Sequence, residues 1–169
     1  SGEVVRKSIG TSGGTLQSAD GKLTVTIPSG ALSSSTTISI QPITNEAPLG
    51  LGFGYSLQPE GLTFAKPVEL KFHYDGQLLK NTPEDFLWIV TQATDGSWNA
   101  MLKSVVDTGG KTVTIKTAHF SDWALGRFID LSLNPSSLTL SKGQSVTLVV
   151  AGFVRDNTLQ EDDELAPLV

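Results

Sequence analysis

Apolar and polar side chains alternate with a period of two along much of this chain. Leu23, Val25 and Ile27 are separated by Thr24 and Thr26, and Pro28-Ser29-Gly30 ends the run. Ile38 and Ile40 alternate with Thr37, Ser39 and Gln41, and Val68, Leu70, Phe72 and Tyr74 alternate with Glu69, Lys71, His73 and Asp75. Each run predicts a half-buried strand, one face toward a core and the other toward water. Asp95-Gly96, between Phe86–Gln92 and Trp98–Lys103, predicts a two-residue hairpin turn, because glycine accepts the positive φ that such turns need. Gly109-Gly110 predicts a second turn into Lys111–Thr117, with Val113 and Ile115 inward. No stretch carries helical periodicity: Ala31–Ser35 is expected to make one turn at most, and Pro83-Glu84-Asp85 another. Short strands punctuated by Gly and Pro describe an all-β fold, an antiparallel β-sandwich.

A boundary is expected at Gly126–Asp130, dividing the chain into a sandwich over 1–126 and a second unit over 127–169. Beyond it Leu131–Leu133, Leu138–Leu140 and Val146–Val150 read as strands, separated by Asn134-Pro135-Ser136 and Lys142-Gly143-Gln144. An immunoglobulin-like sandwich needs about 100 residues, so these strands either open a module that is cut short or complete the first sandwich. The first alternative is favoured, and the acidic, turn-rich Arg155–Val169 is then expected to be loose.

Composition narrows the functions. A hydrophobic share of 38% with 17% charged residues suits a globular domain, and a net charge of −5 argues against a sequence-independent grip on nucleic acid. No apolar run approaches the length of a membrane span, and no signal peptide is visible at Ser1; the Ser-Gly start reads as the beginning of a mature segment. With no cysteine and two histidines, the chain offers little material for a dedicated metal site, and no cofactor or metal is expected.

One place holds candidate chemistry, the triplet His119-Phe120-Ser121. A hydroxyl just after an amide, with an imidazole two residues earlier, suffices for a self-cleaving peptide bond. Ser121 Oγ attacks the Phe120 carbonyl, the His119 imidazole carries the proton, and water hydrolyses the ester. The alternative is an ordinary strand end with Phe120 in the core. Strict alternation puts Phe120 and Trp123 on opposite faces, so a bulge near Ser121-Asp122 is expected to bring both inward.

Other candidates have blander readings. His73 falls in the outward phase of its strand and reads as a solvated histidine. Glu161-Asp162-Asp163-Glu164 lacks the alternating ligand spacing and central glycine of a helix-loop-helix calcium site. Gly10-Thr11-Ser12-Gly13-Gly14 has no following lysine or helix to make a phosphate loop, and reads as a turn. Trp88 and Trp98 flank the Asp95-Gly96 turn. A two-residue turn puts them on opposite faces, so core packing is expected rather than a carbohydrate platform.

Gly13-Gly14-Thr15-Leu16, the strand Leu23–Ile27 running into Pro28-Ser29-Gly30-Ala31-Leu32, and Phe64-Ala65-Lys66-Pro67-Val68 together resemble the ZU-five domain. This β-sandwich occurs in ankyrins, netrin receptors and zonula-occludens scaffolds, and the resemblance runs from about Gly13 to Leu125. It implies a non-enzymatic module that binds other proteins or packs on neighbouring domains. In some relatives the chain cuts itself before a serine in a His-Phe-Ser context, which His119, Phe120 and Ser121 match. The Leu140-x-x-Gly143-Gln144-Ser145-Val146 piece resembles the opening of bacterial immunoglobulin-like repeats. Together they imply a bacterial, extracytoplasmic, multidomain protein whose partners are proteins or its own neighbouring domains.

Overall fold

A computed structural model of the chain describes residues 2–79, 83–127, 131–134, 139, 149–152 and 166–167. In chain order the strands are β1 (Val5–Ile9), β2 (Gly14–Gln17), β3 (Leu23–Ile27), β4 (Thr36–Ile43), β5 (Gly50–Gln58), β6 (Thr63–His73) and β7 (Leu87–Gln92). There follow β8 (Trp98–Ala100), β9 (Val105–Asp107), β10 (Thr112–His119), β11 (Asp122–Arg127), β12 (Leu131–Asn134), β13 (Val149–Gly152) and β14 (Ala166–Pro167). Two antiparallel sheets pack as a sandwich, one ordered β1-β4-β5-β11-β7-β8-β14 and the other β2-β3-β6-β10-β9. The all-β reading holds.

The alternating runs supply the interior. Leu23, Val25 and Ile27 of β3, Val68, Leu70 and Phe72 of β6, and Val113 and Ile115 of β10 meet Ile38, Ile40, Leu57, Leu87, Ile89 and Trp123 of the other sheet, none more than 3% exposed. Burying each such side chain is worth about 1.5–3 kcal/mol before chain entropy is set against it. His73 takes the outward phase of β6, as its position in the alternation requires. A second, smaller cluster of Val90, Trp98, Ala100, Ala124 and Ala47 covers part of the outer face of the larger sheet.

The Asp95-Gly96 turn departs from expectation in its length, whereas the Gly109-Gly110 hairpin forms where expected. In the β7–β8 hairpin Gln92 pairs with Trp98, and the Ala93 amide donates to the Ser97 carbonyl at 2.8 Å. The turn therefore holds three residues, Thr94, Asp95 and Gly96, with Gly96 at φ +85° and Asp95 Oδ1 accepting from the Ser97 amide and hydroxyl. The extra residue changes the parity of the pairing. Trp88 and Trp98 consequently share one face rather than opposite ones, yet both are buried, at 3% and 7% exposure. In the β9–β10 turn the positive φ falls on Lys111, not on glycine. Gly109 and Gly110 instead let the chain wrap Asp107 Oδ1, which accepts both their amides at 3.0 Å; a Cβ on Gly110 would meet Asp107 Oδ2 at 2.6 Å.

Ala31–Ser35 runs as bends, while Glu84–Phe86 forms a 3-10 turn near the expected Pro83 position and Gly76–Leu79 forms another that the pattern did not foretell. Leu131–Asn134 pairs antiparallel with Val149–Gly152 as a separate two-stranded sheet. Leu138, Leu140, the acidic cluster Glu161–Glu164 and most of Arg155–Val169 lie outside the described residues. Among the described residues no helix is long and apolar enough to cross a membrane, which says nothing of a β-barrel.

Candidate functional site

The triplet His119-Phe120-Ser121 is where the chain leaves one sheet for the other. β10 pairs with β6 and β9, β11 pairs with β5 and β7, and the residues between them make the crossing. This corrects the expected bulge at Ser121-Asp122. The register shift lies earlier, between Thr117 and His119, where β6 passes from Val68 to Thr63. Phe120 and Trp123 are both interior, at 1% and 0% exposure, because they flank a change of sheet.

Backbone hydrogen bonds tie the crossing to the β5–β6 connection. The Phe120 amide donates to Leu62 O at 3.0 Å, the Phe120 carbonyl accepts from the Gly61 amide at 3.1 Å, and the Ser121 carbonyl accepts from the Leu57 amide at 3.2 Å. The Phe120 ring meets Phe64 edge to face, with centroids 4.8 Å apart at 70°. Ser121 Oγ donates to the Gln92 carbonyl at 2.6 Å, so its proton points to an oxygen that is no base near neutral pH. The His119 ring lies against Trp123, with centroids 5.5 Å apart at 31°, and among the described residues makes no hydrogen bond to Ser121. Positive φ on non-glycine residues occurs among the described residues at Leu49 and Lys111 alone, so no left-handed strain is stored in the triplet.

Sequence reasoning missed a second candidate, an apolar cavity of about 300 Å³ at one end of the sandwich. Its apolar walls are Leu51, Tyr55, Phe72, Leu79 and Leu125, with the Tyr55 and Phe72 rings edge to face at 5.7 Å, and Lys22, His73 and Tyr74 line it as well. Asp20 stands at its rim. Asp20 Oδ1 accepts from Ser18 Oγ at 2.6 Å and the Lys22 amide at 3.0 Å, and Oδ2 accepts from the Tyr55 hydroxyl at 2.8 Å. Burial opposes its charge, but the bonds from Ser18, Lys22 and Tyr55 outweigh it and hold the carboxyl below the usual aspartate range. Burial, reinforced by Asp20, pushes the Tyr55 phenol far up, so Tyr55 stays neutral as a donor.

The cavity exists because β5 breaks its own period. Leu51, Phe53, Tyr55 and Leu57 share one phase, which would place Phe53 inward. Against β11, however, Leu51 pairs with Leu125 and Gly54 with Ala124, leaving Gly52 and Phe53 as a two-residue bulge with Gly52 at φ +65°. Phe53 is thereby 53% exposed at the mouth beside Leu78, 43% exposed. The signal in the sequence was a lone Phe between Gly52 and Gly54, in a run otherwise reading as a strand.

A polar recess lined by Thr44, Glu46, Gln92, Trp98 and Asp122 borders the crossing. Neither carboxylate reaches Ser121, whose hydroxyl is committed to Gln92. Among the described residues no group of three or more His, Asp or Glu is placed to hold a metal ion. No protein-family model matches the chain, and no curated protein matches it either.

Proposed function

We propose that this chain is a non-catalytic structural or protein-interaction module of a larger bacterial, extracytoplasmic protein, built on the plan of a ZU-five β-sandwich. The family part of this reading rests on the Gly13–Leu16, Ile27–Leu32 and Phe64–Val68 motifs in their order. The observation that carries the functional part is the use made of the triplet. Ser121 Oγ is bonded to the Gln92 carbonyl, the His119 ring is laid on Trp123, and Phe120 is sealed between the sheets. Each group that self-cleavage would need already serves packing or pairing.

The second reading, cleavage of the Phe120–Ser121 bond by an N-to-O acyl shift, draws on one feature. The Gly61 amide donates to the carbonyl that would be attacked, as one arm of an oxyanion site does. Intact mass of the purified protein under denaturing conditions separates the two. A single uncut species, the same in wild type and Ser121→Ala, is the expected result. Two fragments meeting at Phe120–Ser121 that become one chain in the variant would replace the first reading with the second.

A further inference from the structure

We infer that the cavity between β5, β6 and β11 is a binding site for a small free aromatic molecule carrying a hydrogen-bond donor, of the size and polarity of a para-substituted phenol. Three observations converge on that occupant. Size comes first: about 300 Å³ walled by Leu51, Tyr55, Phe72, Leu79 and Leu125 is roomy for one ring, since an apolar cavity of about 150 Å³ already admits benzene and stays dry without it. Its exposed lining is mostly hydrocarbon, with polar groups of Asp20, Lys22, His73 and Tyr74 among the lining residues.

Shape is the second observation. The inward phase of β5 reserves this place for an aromatic ring, and the Gly52-Phe53 bulge carries the strand's own ring out to the mouth. A ligand ring therefore takes the position that unbroken alternation would give Phe53, with Phe53 and Leu78 closing over its outer edge. Polarity is the third. The rim presents the Asp20 carboxylate, oriented by Ser18 and Tyr55 and with one acceptor position left on Oδ2, which takes a donor from the ligand; Lys22 and His73 also line the site. This site is separate from the His119–Ser121 crossing and does not depend on the role assigned to it.

The test is titration of the full chain, ¹⁵N-labelled, with p-cresol, benzoate and N-acetyltyrosinamide, read by amide chemical shifts. Saturable shifts with p-cresol centred on Leu51, Phe72 and Leu79 are expected. Benzoate, which has no donor to offer Asp20, should bind more weakly. N-acetyltyrosinamide should also bind more weakly, its peptide groups lying against the apolar Phe53 and Leu78. Leu79→Trp, which fills the cavity, should remove the p-cresol shifts, and Leu125→Phe serves if that variant melts early. Absence of saturation with p-cresol, or equal binding in a folded filled variant, overturns the site. Benzoate binding as tightly overturns the donor requirement, and tighter N-acetyltyrosinamide binding would assign the cavity to a partner's tyrosine. Contacts of the Phe53 ring with Leu125 in the ligand-free protein would show the cavity to be self-filled and overturn the proposal as well.

Discussion

Truncating Phe120 to alanine removes the side chain that fills the crossing between the sheets. The ring is 1% exposed and meets Phe64 edge to face at 4.8 Å, so the variant loses both its transfer free energy and a specific ring contact. Phe→Ala in a packed core costs about 3–5 kcal/mol. For a chain of this size each kcal/mol lowers Tm by about 2–4 °C, giving a fall of about 8–16 °C for a mid-range loss. The double-mutant cycle with Phe64→Ala isolates the ring pair, whose coupling should be about 0.5–1.5 kcal/mol. Urea denaturation followed by tryptophan fluorescence measures all four corners of the cycle. Where Phe120→Ala leaves too little folded protein, Phe120→Leu keeps the cycle usable at a smaller loss than the alanine. A loss below about 1.5 kcal/mol for Phe120→Ala, or zero coupling to Phe64, would refute the crossing as a packed joint.

Gly13 and Gly10 sit in one loop and should respond oppositely to alanine. Gly13 has φ +75° and its Cβ would lie 2.7 Å from Pro28 C, so Gly13→Ala should cost about 3 kcal/mol; Gly10, with nothing within 4 Å, should change by about 0.5 kcal/mol or less in the same melts. Both tyrosines resist ionisation when folded, Tyr55 by burial and Asp20, Tyr74 by burial and Glu84, which push Tyr74 up to about 12. Because these folded values are raised, their share of stability is intact below the unfolded tyrosine range near 10 and is lost as pH rises above it. A 295 nm titration showing a tyrosinate form at about pH 10 in still-folded protein would contradict this. Asp20 has a depressed value, so its share is present above the unfolded 3.8 and lost as pH falls through the lower folded value. Asp20→Asn should flatten the acid limb of the stability profile below about pH 4, and an unchanged limb would argue against the Ser18–Asp20–Tyr55 chain.

Elements whose partners lie on both sides at regular register were legible as sequence. β3 and the Val68–His73 half of β6 show their buried phase in bare alternation, since every second residue meets the same core. β5 was hidden because Gly50, Gly52 and Gly54 supply no outward polar signal and the bulge shifts Phe53 to the exposed side. The cavity, a consequence of that shift, was hidden with it. The change of sheet at Phe120 left no local mark, because alternation records which side of a strand is buried and not which strand lies beside it. The pattern accordingly read as a strand over Lys111–Thr117, with a strand end at the triplet or a bulge near Ser121-Asp122, rather than as a change of sheet. The tryptophan pair failed for a related reason. Asp95-Gly96 fits turns of two or three residues, and the Gln92–Trp98 pairing decides between them.

The joint between the sheets can be observed directly by native-state hydrogen exchange. The amides of Leu57, Gly61 and Phe120, donors to Ser121 O, Phe120 O and Leu62 O, should exchange only with global unfolding, like the core strand β6. Exchange of these three amides at the rate of an open loop, while β6 remains protected, would contradict this.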